Sequence, residues 1–566
     1  MSIRIDYQEY SAANRDPYYD KANATQDTES DHGSGIAISE QTSSKTNSNS
    51  GFGSNNPFGT SLPCYGYQSP LSITMDYSSS AEGVYAKGVT LEFDDDDNFA
   101  TVVTVQATRG NVTQSTTIYP QERKRTFYPL NSITMAFTQL TLTFSYCVSP
   151  QTRVYVAALY PGRITTWTGE DLTSFPVITN ECNPVGTELP YGTSEFTLRL
   201  TGSKPRFKRW DKLFIYHNNV LMAKHYIDEV KRDGDLYHVK GFDVLGVLDD
   251  MTFDGMYFDP AQHTGGYTVE DCVTIAITNQ DGEPPIAEFD IDETLFDDDY
   301  YDHYNAFTGY IPACTRREAL HYIANAGHLT FRVKPNGVIA IHAVSAAGTK
   351  TLDSQYLFLN SSFEHLSPYT SLDLEWTIYE RDGTANDEEL YKATVNQGNY
   401  RALLSPPAMI TELNNCTASG FSYGPTMSAV KMAAWADVTA ASDTTLALYG
   451  KKYKESKVTY TAVYTTDTDL PKNVLQISGH TLNKTAPGVA LSELSAYYGA
   501  IHYSDKWTGK LLYAAFGSSG ATIGGGYAIT VPGKGTISGW LTKAVLTLSE
   551  ANRYVEATIT GIFTEE

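Results

Sequence analysis

The densest chemical features of the chain are two runs of carboxylates. One is Asp94-Asp95-Asp96-Asp97-Asn98; the other, from Asp281 to Asp302, carries ten acidic residues and no lysine or arginine. Such clusters could hold a hard cation such as calcium, which takes about six to eight oxygens from a shaped loop. Neither run has the D-x-[DN]-x-[DN]-G spacing of that loop, so a solvated loop is the first reading of both. Paired carboxylates could also cleave a glycosidic bond, and the fold rather than local spacing places such a pair, so a glycosidase stays open. The chain has no G-x-S-x-G elbow, H-E-x-x-H, G-x-x-x-x-G-K-[ST] phosphate loop, or G-x-G-x-x-G opening a helix after a strand. Among the histidines, which include His303, His321, His328 and His342, only His321 and His328 bracket a helix end. The tyrosines Tyr300, Tyr301, Tyr304 and Tyr310 suit a subunit interface or a sugar platform as well as a core. Six cysteines (Cys64, Cys147, Cys182, Cys272, Cys314, Cys416) form no C-x-x-C pair and read mostly as buried thiols. We therefore expect no catalytic, cofactor-binding or metal-ligating residue.

The composition says what kind of scaffold must hold these residues. The 566 residues suggest about four folded units at roughly 150 residues each. Forty-one basic against 65 acidic residues leave a net charge of −24, which opposes a sequence-independent grip on nucleic acid. With 41% hydrophobic and 19% charged residues the chain is globular, and its 40 Tyr, 23 Phe and 43 Gly favour strands and tight turns. The first nine residues lack the apolar run of a secretory signal, and no run approaches the roughly 18 apolar residues that span a bilayer, so we expect a product of the cytoplasm.

Along the chain, residues 1–58 end in a Ser/Asn/Gly-rich tract and read as an extended arm or linker. Residues 59–165 hold closely spaced strand signals: 88–93, 101–108, 113–119, 126–130, 133–137, 139–145 and 153–158. Leu140, Leu142 and Phe144 alternate with threonine, as a half-buried strand requires, and the set predicts a sandwich or jelly roll. Residues 166–256 predict a second β unit with turns at His217-Asn218-Asn219 and Asp233-Gly234, followed by a short helical turn after Asp243. In 257–345, Thr315-Arg316-Arg317-Glu318 fits a capping box for a helix over 315–327 with Ala319, Leu320, Ile323 and Ala324 on one face and Gly327 at a left-handed stop. A hairpin turning at Pro335-Asn336-Gly337 follows. Residues 346–445 form a mixed segment in which Met427 to Ala441 has helical composition, and 446–566 is β-rich again.

The order of these pieces resembles the baseplate hub, or tail-tip hub, of bacteriophage tails and related contractile injection systems. The resemblance is most specific at Gly309-Tyr310-Ile311-Pro312, Arg317-Glu318-Ala319-Leu320-His321-Tyr322-Ile323-Ala324, and Phe331 to Ile339 with its Asn336-Gly337 turn. Glu195 to Asp249, with Trp210-Asp211-Lys212-Leu213 and Phe242-Asp243-Val244-Leu245, looks like that family's first small barrel. The region around Leu91-Glu92-Phe93, Val103-Thr104-Val105 and Arg153-Val154-Tyr155-Val156 is similar to the discoidin-like sandwich of some tail proteins.

The resemblance implies a mainly β, multidomain chain with a smaller α+β part and two small β-barrel hub domains: a jelly-roll or discoidin-like sandwich (59–165), a first hub β-barrel (166–256), an α/β helix-hairpin module (257–345), a mixed segment completing the hub domains (346–445) and a C-terminal β-rich hub domain (446–566). It further implies a non-enzymatic homotrimer without cofactor, built into the virion in the host bacterial cytoplasm and meeting the hexameric tail tube, distal tail or baseplate proteins and the tape measure protein. An acidic lumen would let DNA pass without binding it. The alternatives are a virion-borne protein that binds a host-surface glycan and, behind it, a cell-wall-degrading enzyme.

Overall fold

Alternation of apolar and polar residues dictates most of the architecture, and the computed structural model of the chain is accordingly mainly β, in several sheets. It describes residues 3–9, 19–20, 38–40, 43–45, 52–54, 66–76, 86, 88–93, 99–122, 126–148, 155–182, 189–200, 207–258, 266–278, 287, 289–291, 307–327, 329–343, 350–358, 361–365, 367, 369–380, 386–419, 433–464, 471–484, 505–519 and 521–565.

The largest sheet has 13 strands. Its main path runs Arg163–Thr168, Ile3–Glu9, Lys212–His217, Val220–Asp233, Leu236–Phe242, Thr193–Arg199, Leu172–Glu181, Gly535–Leu548, Arg553–Glu565, Asp505–Leu512 and Ser362–His365. Ile3, Ile5 and Tyr7 are fully buried while Arg4, Asp6 and Gln8 alternate with them, so the first described residues are an inner strand rather than part of the expected arm. Asp6 is itself buried, and it accepts a hydrogen bond from Thr166 Oγ1 at 2.8 Å and lies 3.4 Å from Arg4 Nε.

Leu172–Glu181 pairs with Thr193–Arg199 on one side and Gly535–Leu548 on the other, through Val177–Thr547 to Glu181–Lys543. Two units expected as separate small barrels therefore share one open sheet; its end strands do not pair with each other among the described residues. The physical reason is that the strand at the junction is hydrogen-bonded on both edges, so each half continues into the other instead of closing on itself.

Between Glu9 and Arg163 the chain builds a sandwich. One sheet holds Thr126–Pro129, Gly88–Phe93, Tyr155–Pro161, Phe52–Ser54 and Ser43–Lys45, with Tyr19–Asp20 alongside; the other holds Ile38–Glu40, Gly66–Asp76, Gln139–Cys147, Ala100–Arg109 and Val112–Ile118. Val89, Leu91, Val103, Val105, Leu140, Leu142 and Phe144 form its core. Residues 133–137, expected as a strand, are not one: Ile133 N–H donates to Leu130 O at 3.0 Å, which closes a turn there instead.

The α+β part packs helices Val269–Ile277 and Arg316–Gly327 with the hairpin Leu329–Val333 and Ile339–Ala343 around Leu320, Ile323, Phe307, Phe331 and Ile341. Gly327 does not take the left-handed conformation expected of it. Its missing side chain matters for space instead, since a Cβ there would lie 2.8 Å from Leu329 Cδ1 and 3.1 Å from Phe307 Cζ. Beyond the module, Glu388–Val395, Thr444–Lys452, Gly398–Asn414, Ala433–Ala440 and Thr417–Ser419 form a five-stranded sheet. Ala433–Ala440 is thus a strand where helical composition had been read, because Ala436, Val438 and Ala440 share one buried face at period two.

Candidate assembly site

The sequence pattern with most information, Gly309 to Ile339, folds as the piece that ties the sheets together. Thr315 N–H donates to Glu318 Oε2 at 2.8 Å and Glu318 N–H to Thr315 Oγ1 at 3.1 Å, which is the expected capping box. Thr315 Oγ1 also donates to Asp249 Oδ1 at 3.2 Å, and Arg317 Nε lies 2.9 Å from the same oxygen. Arg317 Nη1 reaches Leu189 O at 2.7 Å, and its guanidinium stands 5.4 Å from the Tyr191 ring.

Arg316 is buried and donates through Nη1 to Ala276 O (2.9 Å) and Thr278 O (2.7 Å), at the C-terminal end of helix Val269–Ile277. A cation there satisfies carbonyls that the helix leaves unpaired and complements its dipole. Burial lowers the Arg316 pKa from its ordinary value, with Asp254 opposing.

The Gly309-Tyr310-Ile311 strand carries the contact to the five-stranded sheet. Gly309 has φ +119°, and a Cβ would sit 2.2 Å from Thr481 O, so only glycine fits. Thr481 Oγ1 donates to Tyr310 O at 2.6 Å, and Tyr310 OH donates to Leu404 O at 3.1 Å. Arg401 then clamps the same junction, with Nη1 2.7 Å from Asp254 Oδ2, Nε 2.7 Å from Asp437 Oδ1, and Trp435 4.2 Å beneath it.

A cavity of about 340 Å³ lies where the large sheet meets the hairpin, lined by Asn180, Lys224, His225, Asp243, Phe331 and Arg332 among others. Burial pushes the Asp243 carboxyl up to about 7, against the pull of backbone N–H groups of Gly192 (2.6 Å), Leu245 (2.9 Å) and Gly246 (3.4 Å) and of Arg317. Those donors make Asp243 the N-cap of helix Val244–Asp249, a role readable from an aspartate placed before an apolar run. His225 Nδ1 lies 2.9 Å from Ser194 Oγ in the manner of a nucleophile-base pair, yet Ser194 is 1% and His225 3% exposed. Burial lowers the His225 pKa to about 3, so the ring is neutral.

Of the other expected residues, His321 meets Asn325 at 2.9 Å and His342 meets Arg332 at 3.0 Å. Tyr310 is buried, edge-on to Tyr379 at 5.6 Å, and burial pushes its pKa to about 12. Tyr300, Tyr301, Tyr304, His303, His328 and the run Asp94–Asn98 lie outside the described residues, as does most of 281–302. Cys182 and Cys272 are buried, and Cys314 and Cys416 half-buried. Burial pushes the Cys182 and Cys314 thiols to about 12 and Cys272 well up, keeping them protonated. The clamping roles of Arg316, Arg401 and Asp249 are not readable from the sequence, since each acts on groups distant along the chain.

No family model matches the sequence, and no curated protein matches it. Among solved structures the chain is similar to a tail protein from Neisseria meningitidis MC58, at 10% identity and TM-score 0.39, covering 70% of this chain and 93% of that one. It is also similar to the 43 kDa tail protein of prophage MuSo2 from Shewanella oneidensis (10%, TM-score 0.38, 70% and 95%). A third likeness is to an E. coli component of the type VI secretion system described as structurally similar to bacteriophage T4 tail proteins (10%, TM-score 0.32, 70% and 74%).

Proposed function

We propose that this chain is a structural component of a bacteriophage tail: a homotrimeric, non-enzymatic hub at the tail tip or baseplate, joining the hexameric tube to the distal proteins, with a discoidin-like sandwich as its decoration. The observation that carries the reading is the shared sheet, in which an N-terminal and a C-terminal set of strands meet at Leu172–Glu181 and Gly535–Leu548. Three copies meet a sixfold partner if each presents two such sets. The hydrogen bonds of buried Arg316 hold the two helices of the helix-hairpin module together, and the half-buried ion pairs of Arg401 to Asp254 and Asp437 hold the five-stranded sheet against the segment leading into that module, which suits transmission of shape. No helix among the described residues is long and apolar enough to cross a membrane. Assembly in the host cytoplasm and residence in the virion follow from the same reading. Light scattering on the purified chain tests it: the expected mass is three times 62.3 kDa, alone or with tube protein added. A monomer under both conditions, or absence of the chain from purified particles, would overturn it.

A further inference from the structure

We propose that Trp210, with Arg209, Asp228 and Asp250 around it, forms a binding site for a neutral sugar ring. The first observation is backbone strain. Lys208 to Asp211 is a tight turn closed by Asp211 N–H to Lys208 O at 3.2 Å, and Trp210, its third residue, has φ +72°. A turn of this form calls for glycine at that position, and a bulky residue there costs about 1–3 kcal/mol. Such strain persists where surrounding bonds fix the turn, here Trp210 N–H to Ile227 O and Lys208 N–H to Asp211 Oδ2, both at 2.8 Å, and it clusters at sites that bind or react.

The second observation is the state of the ring. Trp167, Trp376, Trp507 and Trp540 are buried, and Trp435 lies under Arg401. Trp210 is 42% exposed, and among the described residues no aromatic ring or cation stacks on it. Its Nε1 donates to Asp250 Oδ2 at 3.0 Å, which fixes the indole edge. Arg209 Nη2 lies 2.9 Å from Asp250 Oδ2, the oxygen that takes the indole N–H, and 3.2 Å from Asp228 Oδ1, with its guanidinium 5.7 Å from the Phe242 ring. Arg209 and Asp228 are about half exposed.

This is a flat apolar platform rimmed by fixed donors and acceptors, the chemistry that takes the C–H face of a sugar by stacking and its hydroxyls by hydrogen bonds. Arg209 is already paired with Asp228 and Asp250, so the rim does not select an anionic ligand, in keeping with a chain of net charge −24. One indole also falls far short of the roughly 800 Å² per partner that a stable protein interface buries. The site is independent of the hub reading, since a tail protein or any other could carry it.

The test uses the full chain grown with fluorotryptophan, whose six tryptophans give separate fluorine resonances, the Trp210 line being the one missing from Trp210→Phe. Methyl glycosides of glucose, galactose and N-acetylglucosamine are titrated into the millimolar range. We expect one of them to move the Trp210 line saturably while the other five stay put. Asp228→Asn should weaken that binding about tenfold, and Trp210→Tyr should retain part of it. Trp210→Gly should abolish the heat of binding while melting no lower than the parent, because glycine relieves the turn. The proposal fails if no glycoside moves the line, or if the heat survives in Trp210→Gly. It fails equally if the line moves with protein concentration alone, which marks self-association, or if Trp210→Gly melts well below the parent, which marks a latch.

Discussion

His225 shows what burial alone does to a titratable group in this protein. It is enclosed on every side, its Nδ1 faces Ser194 Oγ, and desolvation is the one cause that lowers its pKa from 6.5 to about 3. In the unfolded chain the ring takes a proton below pH 6.5; in the folded chain it stays neutral until about 3. The unfolded state therefore binds more protons across that window, and stability contributed by the neutral ring is lost as pH falls from about 6.5 toward about 3. His225→Gln keeps a group able to bond Ser194 but cannot titrate. Its unfolding free energy, from urea midpoints between pH 6.5 and 4, should depend on pH less steeply than the parent's, by up to about 1.4 kcal/mol per pH unit. Equal slopes would mean that the folded protein accepts the imidazolium. The sequence did not distinguish His225 from the chain's eleven other histidines, because nothing in its local pattern reports that Ser194, two strands away in the sheet, reaches its ring.

The element most legible in the sequence was the capped helix Arg316–Gly327, and the reason is that its signals are local. A capping box needs only residues three apart, and the apolar face formed by Ala319, Leu320, Ile323 and Ala324 needs only the helical period. The hairpin after it was legible for the same reason: Gly337 N–H returns to Lys334 O at 2.8 Å, and Gly337 adopts φ +90°. Ala433–Ala440 misled because alanine suits helices in isolation, while its actual partner, Gly398–Asn414, is set by tertiary pairing. The cap also makes a measurable claim. Glu318→Ala removes one bond of the box and should cost about 1 kcal/mol. Thr315→Ala removes the other bond and the 3.2 Å bond to Asp249, so it should cost more. Denaturant midpoints for the two variants check the order, and a reversed order would mean that the Asp249 contact adds nothing to stability.

At the scale of the molecule, the decisive fact is that the sandwich is an insertion inside the large sheet. Ile3–Glu9 and Arg163–Thr168 are antiparallel neighbours, with Glu9 opposite Arg163, although more than a hundred and fifty residues separate them in sequence. No local pattern could announce that pairing; the alternation of Ile3, Ile5 and Tyr7 was visible, but its partner was not. The sandwich re-enters the sheet through Gly162, at φ +102°, whose N–H donates to Gly88 O at 2.7 Å and whose carbonyl accepts from Thr90 Oγ1 at 2.8 Å. Tyr7 OH donates to Asp211 Oδ2 at 2.5 Å, and Trp167 stacks on Tyr7 at 5.5 Å, so both entry strands are fastened by residues that lie outside the insertion. Strands opposed in this way end about 5 Å apart, a gap that a two-residue Asn-Gly turn closes. Replacing residues 10–162 by Asn-Gly should therefore leave a chain that folds cooperatively and keeps the strand signal of the large sheet by circular dichroism, since the bonds at Gly162 go to Gly88 and Thr90 within the removed segment. Light scattering on the same variant carries the argument one step further, because a collar assembled through the large sheet should keep the oligomeric state of the parent. A variant that folds yet changes its oligomeric state would place the subunit contacts on the sandwich, whereas one that cannot fold would show that the sandwich is part of the sheet's foundation.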